Sequence, residues 1–517
     1  MRIKKVKVNR NKIFFNSLFS NLPLFLLILT VIPFRIFNVN LPLLDLHSFR
    51  QTQTATIARN FYLNGINLFQ TELDVFGIGK ERFLLLEFPL YEAIVTFLYN
   101  FFFFDEIWGR IVSIIFGLIA GVYLYRLVML VFKNRSVAAL SAFFFLFAPL
   151  NIWYQRTFMI ESSVVCLLLT GFYYFCDWVI RPTKKNFFLG LIFLTLGFLQ
   201  KGIYGPFWLI PMVVFYMKKH SLRNFLSLQP IFIMVIPLLG LFLWQHHVNT
   251  VNILNGHDFF TTSNRGHLEW NFGNLSDRLS VSMWEVRLRQ ILDGILLKPG
   301  LILFFAGLIS IRLLDNHQLL YSWLFSQLIY LFSFFRIQSH NYYQMVIVPI
   351  MAIFMGFGLL RVVSWITVIV KKLLPKGKFA NLNSTITIFF CFLYIIISWG
   401  NSSSAFAIDS SLYYRLITVR NVIPLNTYGI LVTPRYDWNS MYPYYLQRKM
   451  LVVGVTDITS EKIQKWEKQG YSFIIFQNYT EYPQIFLMNS EIQRDWLEKK
   501  YKITLQLEDM RLYLVNK

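Results

Sequence analysis

Long uninterrupted apolar blocks constrain this chain more than any other feature. IVSIIFGLIAGVYLYRLVMLVF (111–132) and MVIVPIMAIFMGFGLLRVVSW (345–365) each carry a single charge over a bilayer's length. An apolar run of roughly 18 residues or more reads as a helix crossing ~30 Å of hydrocarbon at 1.5 Å per residue. Composition agrees. Soluble domains are about 25% charged, whereas this chain of 517 residues is 15% charged, 56% hydrophobic and 18% aromatic. The reading is a polytopic α-helical membrane protein.

The formal net charge of +22 is spread in short clusters between the apolar blocks. That is the distribution of topology signals, not of a nucleic-acid-binding face, so no nucleic-acid partner is expected. Cys166, Cys176 and Cys391 lie inside apolar runs without metal-ligand spacing and read as buried thiols. The basic segment MRIKKVKVNRNK precedes an apolar stretch with no small-residue cleavage site after it. It reads as a retained first span with a cytoplasmic N-terminus.

Spans are expected near 15–37, 107–132, 137–154, 160–180, 186–200, 202–217, 229–247, 299–314, 318–335, 344–368 and 383–400, about eleven in all. With these spans the basic clusters at the N-terminus, 133–135, 181–185, 218–223, Arg312 and 371–378 all fall on the cytoplasmic side. PLYEAIVTFLYNFFFF (89–104) is apolar but only sixteen residues long. Counted as a span it would reverse every later loop before the tail. It is therefore read as an interfacial or re-entrant helix on the outer face. Residues 38–106 then form one external loop, residues 248–298 a second, and the chain from about 401 a third external region.

That tail differs in character. GILVT (429–433), MLVVGV (450–455), YSFIIFQ (471–477) and KITLQL (502–507) read as strands, and SEKIQKWEKQG (460–470) as a helix. The expected organisation is a transmembrane domain over 1–400 and a small extracytoplasmic α/β domain over 401–517. No internal repeat is visible.

LLDLHSFRQTQTATIARNFYLNG (43–65) follows the first span directly. Ser48 and Gln51 have capping-box spacing, and Asn64-Gly65 supplies a stop. The stretch is expected to be an amphipathic helix on the outer membrane surface. Its positive end would face Asp45 and His47, with Arg50 in the first turn. Such an end is suited to a phosphate, although Asp45 as a cap and Arg50 at lipid headgroups is the plainer reading. Glu87 sits in LLLEFPLY, Glu161 opens a span, Lys201 ends one, and His340 precedes Tyr342 and Tyr343 at the outer start of another. Ionisable groups at such places are costly to desolvate and tend to be functional. The alternatives are snorkelling for Lys201 and interfacial anchoring for His340.

The motifs DLHSFRQTQTATIARNFY, EFPLYEAIVTFLY, APLNIWYQRTFMIES, FLQKGIYG and HNYYQMVIVPIMA, in that order across residues 10–365, resemble the polyprenol-phosphate-sugar glycosyltransferases of the GT-C superfamily. The nearest resemblance is to bacterial members of glycosyltransferase family 39, which include protein mannosyltransferases and the lipid A aminoarabinose transferase. NSMYPYYLQRK (439–449) also looks like a family feature. The resemblance implies a GT-C fold with interfacial helices in the first external loop. It implies a sugar donor on a polyprenyl phosphate and inverting transfer at the outer face of the cytoplasmic membrane. An acid of the first external loop is expected as base, and a basic residue at Lys201 to meet the donor phosphate. Two departures stand out. Gln53 or a neighbour occupies a place where many relatives carry an acid, and Glu161 stands where Asp is commoner.

Asp45 and Glu87 are then the candidate bases. The resemblance places the base early in the loop, which favours Asp45. Arg50, Lys201 and His340 are the candidates for the donor phosphate. Glu161 is a candidate to orient a partner or hold a divalent cation, although no metal motif is visible. His47, Gln53, Arg156, Tyr342 and Tyr343 lie in the same motifs and are candidates for substrate contact. The acceptor is a lipid, glycan or protein hydroxyl, with membrane lipids as surroundings. Two rival readings are a transporter or flippase for lipid-linked sugars, against which the large external loops and missing repeat stand, and a non-catalytic homologue that binds lipid phosphates.

Overall fold

Backbone amides in hydrocarbon must bond within their own segment, so the apolar runs fold as helices. The computed structural model describes residues 24–374, 381–434, 437–477, 496, 498–507 and 510–515. The basic N-terminal cluster, the start of the first apolar run and residues 375–378 of the last basic cluster lie outside these residues. Among the described residues, six helices are long and apolar enough to cross a membrane: Ile107–Phe132, Glu161–Ile180, Leu228–Leu254, Val281–Ser310, Asn341–Leu373 and Leu382–Val422.

The first part of the chain forms α1 (Leu24–Ile36), α2 (Ser48–Asn64), α3 (Leu90–Phe101), α4 (Ile107–Phe132), α5 (Arg135–Phe147), α6 (Pro149–Tyr154), α7 (Glu161–Ile180), α8 (Lys184–Gln200) and α9 (Leu209–Lys219). Every run read as a span contains a helix, but two are broken. Pro149 cannot continue α5 and instead opens α6. The run at 202–217 starts as a turn and a short 3₁₀ segment, Gly205–Trp208, before α9. Residues 89–104 yield α3, whose 12 residues reach only about 18 Å, short of a bilayer.

α2 corrects an expectation. It is not an amphipathic surface helix. Residues from Arg50 to Phe61 are buried around nearly its whole circumference. Its polarity is compatible with burial because the threonines bond locally. Thr52 Oγ1 donates to the Ser48 carbonyl at 2.8 Å, Thr54 to Arg50 at 3.0 Å and Thr56 to Thr52 at 2.7 Å. Two neighbours sandwich it. Thr96 of α3 donates to the Ala58 carbonyl at 3.1 Å, and Arg59 donates to the Tyr444 carbonyl of the tail helix Met441–Leu446 at 2.6 Å. The expected capping box does not form. His47 precedes the helix in the left-handed region (φ 57°) with no side-chain cap, and Gln51 reaches back to Asp45 instead. The stop is as read: Gly65, at φ 89°, donates its N–H to the Phe61 carbonyl.

The tail is a five-stranded mixed sheet. Its strands are β1 (Tyr428–Thr433), β2 (Met450–Gly454), β3 (Tyr471–Gln477), β4 (Ile503–Leu507) and β5 (Met510–Leu514), in the order β2-β1-β3-β5-β4. β1 runs parallel to β2 and β3, while β5 is antiparallel to β3 and β4. β5 was not anticipated. It lies close after β4, so the two read as one polar-interrupted run. β2 would be an open edge, but the first loop covers it. Met450 N–H donates to the Asp74 carbonyl at 2.8 Å, Val452 N–H to Val75 at 3.1 Å and Gly77 N–H to Met450 at 2.9 Å. The tail is thus hydrogen-bonded to the loop that carries α2.

Within the bundle, Leu297–Ser310 and Val348–Leu373 approach closely through glycine. A Cβ on Gly307 would overlap the Phe354 carbonyl oxygen, and one on Gly358 the Leu303 carbonyl oxygen. Small residues let two helix backbones touch where lipid gives no hydrophobic drive for association. Gly358→Leu is expected to cost more than the usual ~1–3 kcal/mol of overpacking, because backbone is the obstacle. Fluorescence-detected size-exclusion should show loss of the monodisperse peak, while Gly400→Leu, where a Cβ meets nothing within 4 Å, should keep it.

Candidate active site

Four acids, Asp45, Glu87, Glu161 and Asp74, are held in ion pairs in the first loop and at the adjoining helix ends. Asp45 meets two arginines. Its Oδ2 accepts from Arg110 Nη2 at 2.9 Å, with Arg156 Nη1 at 3.8 Å, and its Oδ1 accepts from Gln51 Nε2 at 2.5 Å. Arg110 also donates to the carbonyls of Asn38, Val39 and Pro42, and Arg156 to Asn38. Both arginines therefore clamp the chain just after α1 onto α4. Burial pushes the Asp45 carboxyl up from its ordinary value, against the pull of Arg110 and Arg156.

Arg50 and Glu87 form the second pair, Nη2 to Oε1 at 2.5 Å. Arg50 Nη1 donates to Gln53 Oε1 at 2.8 Å. The Glu87 side chain is 26% exposed, against 2% for Asp45. Burial alone would raise its carboxyl, but Arg50 and then Lys201 hold it below the ordinary value. Glu87 is thus ionised and reachable.

Lys201, in the turn after α8, pairs with Glu161 at the first residue of α7. Its ammonium also lies 4.5 Å from the Tyr343 ring centroid and 5.4 Å from that of Tyr342. The fourth pair, Arg59 with Asp74, ties α2 to the segment that covers β2.

An aromatic wall closes the cluster. The His47 ring lies 5.1 Å from Tyr342, 5.5 Å from His340 and 6.0 Å from Tyr154. Tyr154 donates to Asn341 Oδ1 at 2.5 Å. Burial, then the neighbouring His47 ring and the Arg50 guanidinium, pushes His340 down to about 4. It is neutral at pH 7 and offers a hydrogen bond, not a charge.

The structure thus gathers Glu87, Arg50, Gln53, Lys201, Glu161, His47, His340, Tyr342 and Tyr343 from five separate stretches of sequence. Asp45 and Arg156 stand in an adjoining, closed network. Among the described residues no group of three or more His, Cys, Asp and Glu side chains is assembled to hold a metal. Two participants escaped the sequence reading. Arg110, inside an apolar helix, carried the usual signal of a costly intramembrane charge. Glu92, in the first turn of α3, lay within a quoted motif without being singled out.

Glu92 is 5% exposed, and its Oε2 has no hydrogen-bond partner. Burial pushes its carboxyl up to about 8. A folded-state value above the unfolded one favours the folded state at low pH. Stability from this group is present below the ordinary glutamate range and is lost as pH rises toward about 8. The Tm should therefore fall between pH 5 and 8, and Glu92→Gln should flatten that slope. An identical slope in the variant would remove Glu92 as its source.

Residues 87–248 match the family model of the dolichyl-phosphate-mannose-protein mannosyltransferases. No curated protein matches the sequence. Among solved structures, the chain is similar in fold to ArnT from Cupriavidus metallidurans bound to undecaprenyl phosphate, with a TM-score of 0.66 and 13% identity over 95% of this chain and 97% of that one. The apo state of the same ArnT gives a TM-score of 0.62 at 13% identity with the same coverage. A matching family segment within the chain and a shared fold over nearly all of it bear out the resemblance carried by the motifs, that of a GT-C glycosyltransferase like those of family 39.

Proposed function

We propose that this protein transfers a sugar from a polyprenyl-phosphate donor to an acceptor hydroxyl, with inversion, at the outer face of the cytoplasmic membrane. The observation that carries this reading is a reachable carboxylate, Glu87, paired with buried Arg50 in the same cluster as a second buried cation, Lys201, beside an aromatic wall. The ArnT of similar fold is described bound to undecaprenyl phosphate, which supports a polyprenyl phosphate as the donor's carrier. The orientation follows from the basic clusters: N-terminus in the cytoplasm, first loop and tail outside.

In this reading the acceptor hydroxyl attacks the anomeric carbon as the bond to phosphate oxygen breaks. The electron pair leaves with polyprenyl phosphate, and the hydroxyl proton passes to a carboxylate. Glu87 takes that role in preference to Asp45. Both Asp45 oxygens already accept from buried donors, whereas Glu87 is anchored by Arg50 through one oxygen. Asp45 instead holds Arg110 and Arg156 and fixes the entry to α2. Arg50 and Lys201 stabilise the growing charge on the leaving phosphate, as fixed cations in a water-poor site do. Glu161 orients Lys201. Neutral His340, with His47, Tyr342 and Tyr343, shapes the place where the reacting sugar sits. A transporter would not need a reachable base among its cations.

Single-turnover release of polyprenyl phosphate from a labelled donor tests the assignment. Glu87→Gln should lose at least about 100-fold in rate with donor binding kept, the usual scale for removing a general base. Asp45→Asn should instead lower the unfolding midpoint, because Arg110 and Arg156 lose their partner, with a cost on the order of 3–5 kcal/mol. A stable Asp45→Asn that binds donor but cannot turn over, alongside an active Glu87→Gln, would exchange the two roles.

Lys201→Ala should weaken donor use by roughly 10- to 150-fold, the loss of a charge-assisted contact worth on the order of 1.5–3 kcal/mol. Lys201→Arg should recover part of it. Equal donor affinity in Lys201→Ala would leave Lys201 as a partner of Glu161 alone.

A further inference from the structure

A second cleft lies where the first loop, the second loop and the tail meet. Its volume is about 1030 Å³, and Phe76, His257, Phe260, Trp438, Trp466 and Tyr471 are among the residues that line it. Phe76, His257, Phe260 and Trp438 pack on one another. Trp438 stacks on Phe76 (6.3 Å, 21°) and meets Phe260 edge-on at 5.0 Å. His257 lies 4.5 Å from Phe76 and is fixed by a 2.6 Å hydrogen bond between its Nε2 and the Glu81 carbonyl. Trp438 and Trp466 are each only half-buried. Exposed Glu81, Asp437, Lys465 and Gln469 also line the cleft.

Flat apolar faces edged by carboxylate, amide and ammonium groups complement a pyranose, which has an apolar C–H face and a hydroxyl edge. Other occupants fit less well. The two acids outnumber the one lysine, which disfavours a phosphate or nucleic acid. An extended peptide would add to the β2 edge, but residues 74–77 already occupy it.

The cleft is also framed together with the active site. The Asn252 side chain accepts from Leu85 N–H at 2.9 Å and donates to the Leu85 carbonyl at 2.8 Å and the Phe260 carbonyl at 3.2 Å. Leu85 lies two residues before Glu87, and Phe260 is in the cleft wall. We infer that this cleft binds a carbohydrate chain and holds the acceptor glycan for transfer. The acceptor role rests on the transferase reading; carbohydrate binding does not.

The full-length protein in lipid nanodiscs, applied to an array of bacterial surface oligosaccharides and then titrated with each binder by tryptophan fluorescence, tests this. At least one oligosaccharide should bind and change the indole emission. Trp466→Ala should weaken it about tenfold or more, with Trp438→Phe, which keeps a ring, losing less. Acceptor-independent release of polyprenyl phosphate and the thermal midpoint should stay as in the parent protein. If Trp466→Ala lowers the midpoint, the exposed pair Lys465→Ala and Gln469→Ala decides, with the same weakening expected. An array without a bound oligosaccharide, or binding indifferent to these variants, overturns the inference. Oligosaccharide binding that depends on Trp466 in a protein that never releases polyprenyl phosphate would leave the cleft and overturn the transferase reading.

Discussion

Charge that is removed from water must be paired, and this requirement organises the molecule around its first loop. Asp45 with Arg110 and Arg156 joins the loop to the bundle, Lys201 with Glu161 joins α7 to the end of α8, and Arg50 with Glu87 and Arg59 with Asp74 tie the loop to itself. Each pair costs free energy to desolvate, and its attraction repays that cost only when the geometry is right. The pairs therefore add little net stability. They select one arrangement within the loop, between the loop and the bundle, and between two neighbouring helix ends, because any slip would leave an uncompensated buried ion.

The pairs differ in purpose. Those of Asp45 and Arg59 are closed, with extra hydrogen bonds to backbone carbonyls, and they fix where α2 begins and what it packs against. Those of Glu87 and Lys201 leave the groups proposed to act in transfer in contact with the candidate site. Lys201 faces two tyrosine rings, and Glu87 keeps a quarter of its side chain accessible. A rigid frame and a reactive cluster are built from the same residue types, separated by the number of partners each charge has.

The tail is part of this frame. The strand-like segment 74–77 covers the β2 edge, the helix Met441–Leu446 packs on α2, and Lys449 pairs with Glu72. Tyr445 accepts from the Leu43 amide at 2.5 Å, two residues before Asp45. A rearrangement of the tail would thus be felt at both ends of α2. An edge strand that would otherwise invite association is used to position the loop.

The apolar blocks determined by themselves that the chain is a bundle of membrane helices, because unpaired backbone in hydrocarbon leaves no other choice. Local rules also sufficed for the stop at Gly65, the short α3, the four strands read in the tail, and the interest of Glu87, Lys201 and His340, whose placement at apolar boundaries was costly. Only the tertiary structure decided that α2 is buried and not on the membrane surface, since its threonines satisfy themselves and one of its two covering surfaces comes from the tail, 385 positions away at the Arg59–Tyr444 contact. It alone separated Asp45 from Glu87. Both are acids in one loop with similar sequence credentials, and what distinguishes them is how many buried donors each carboxylate meets, a property of packing that no local pattern encodes.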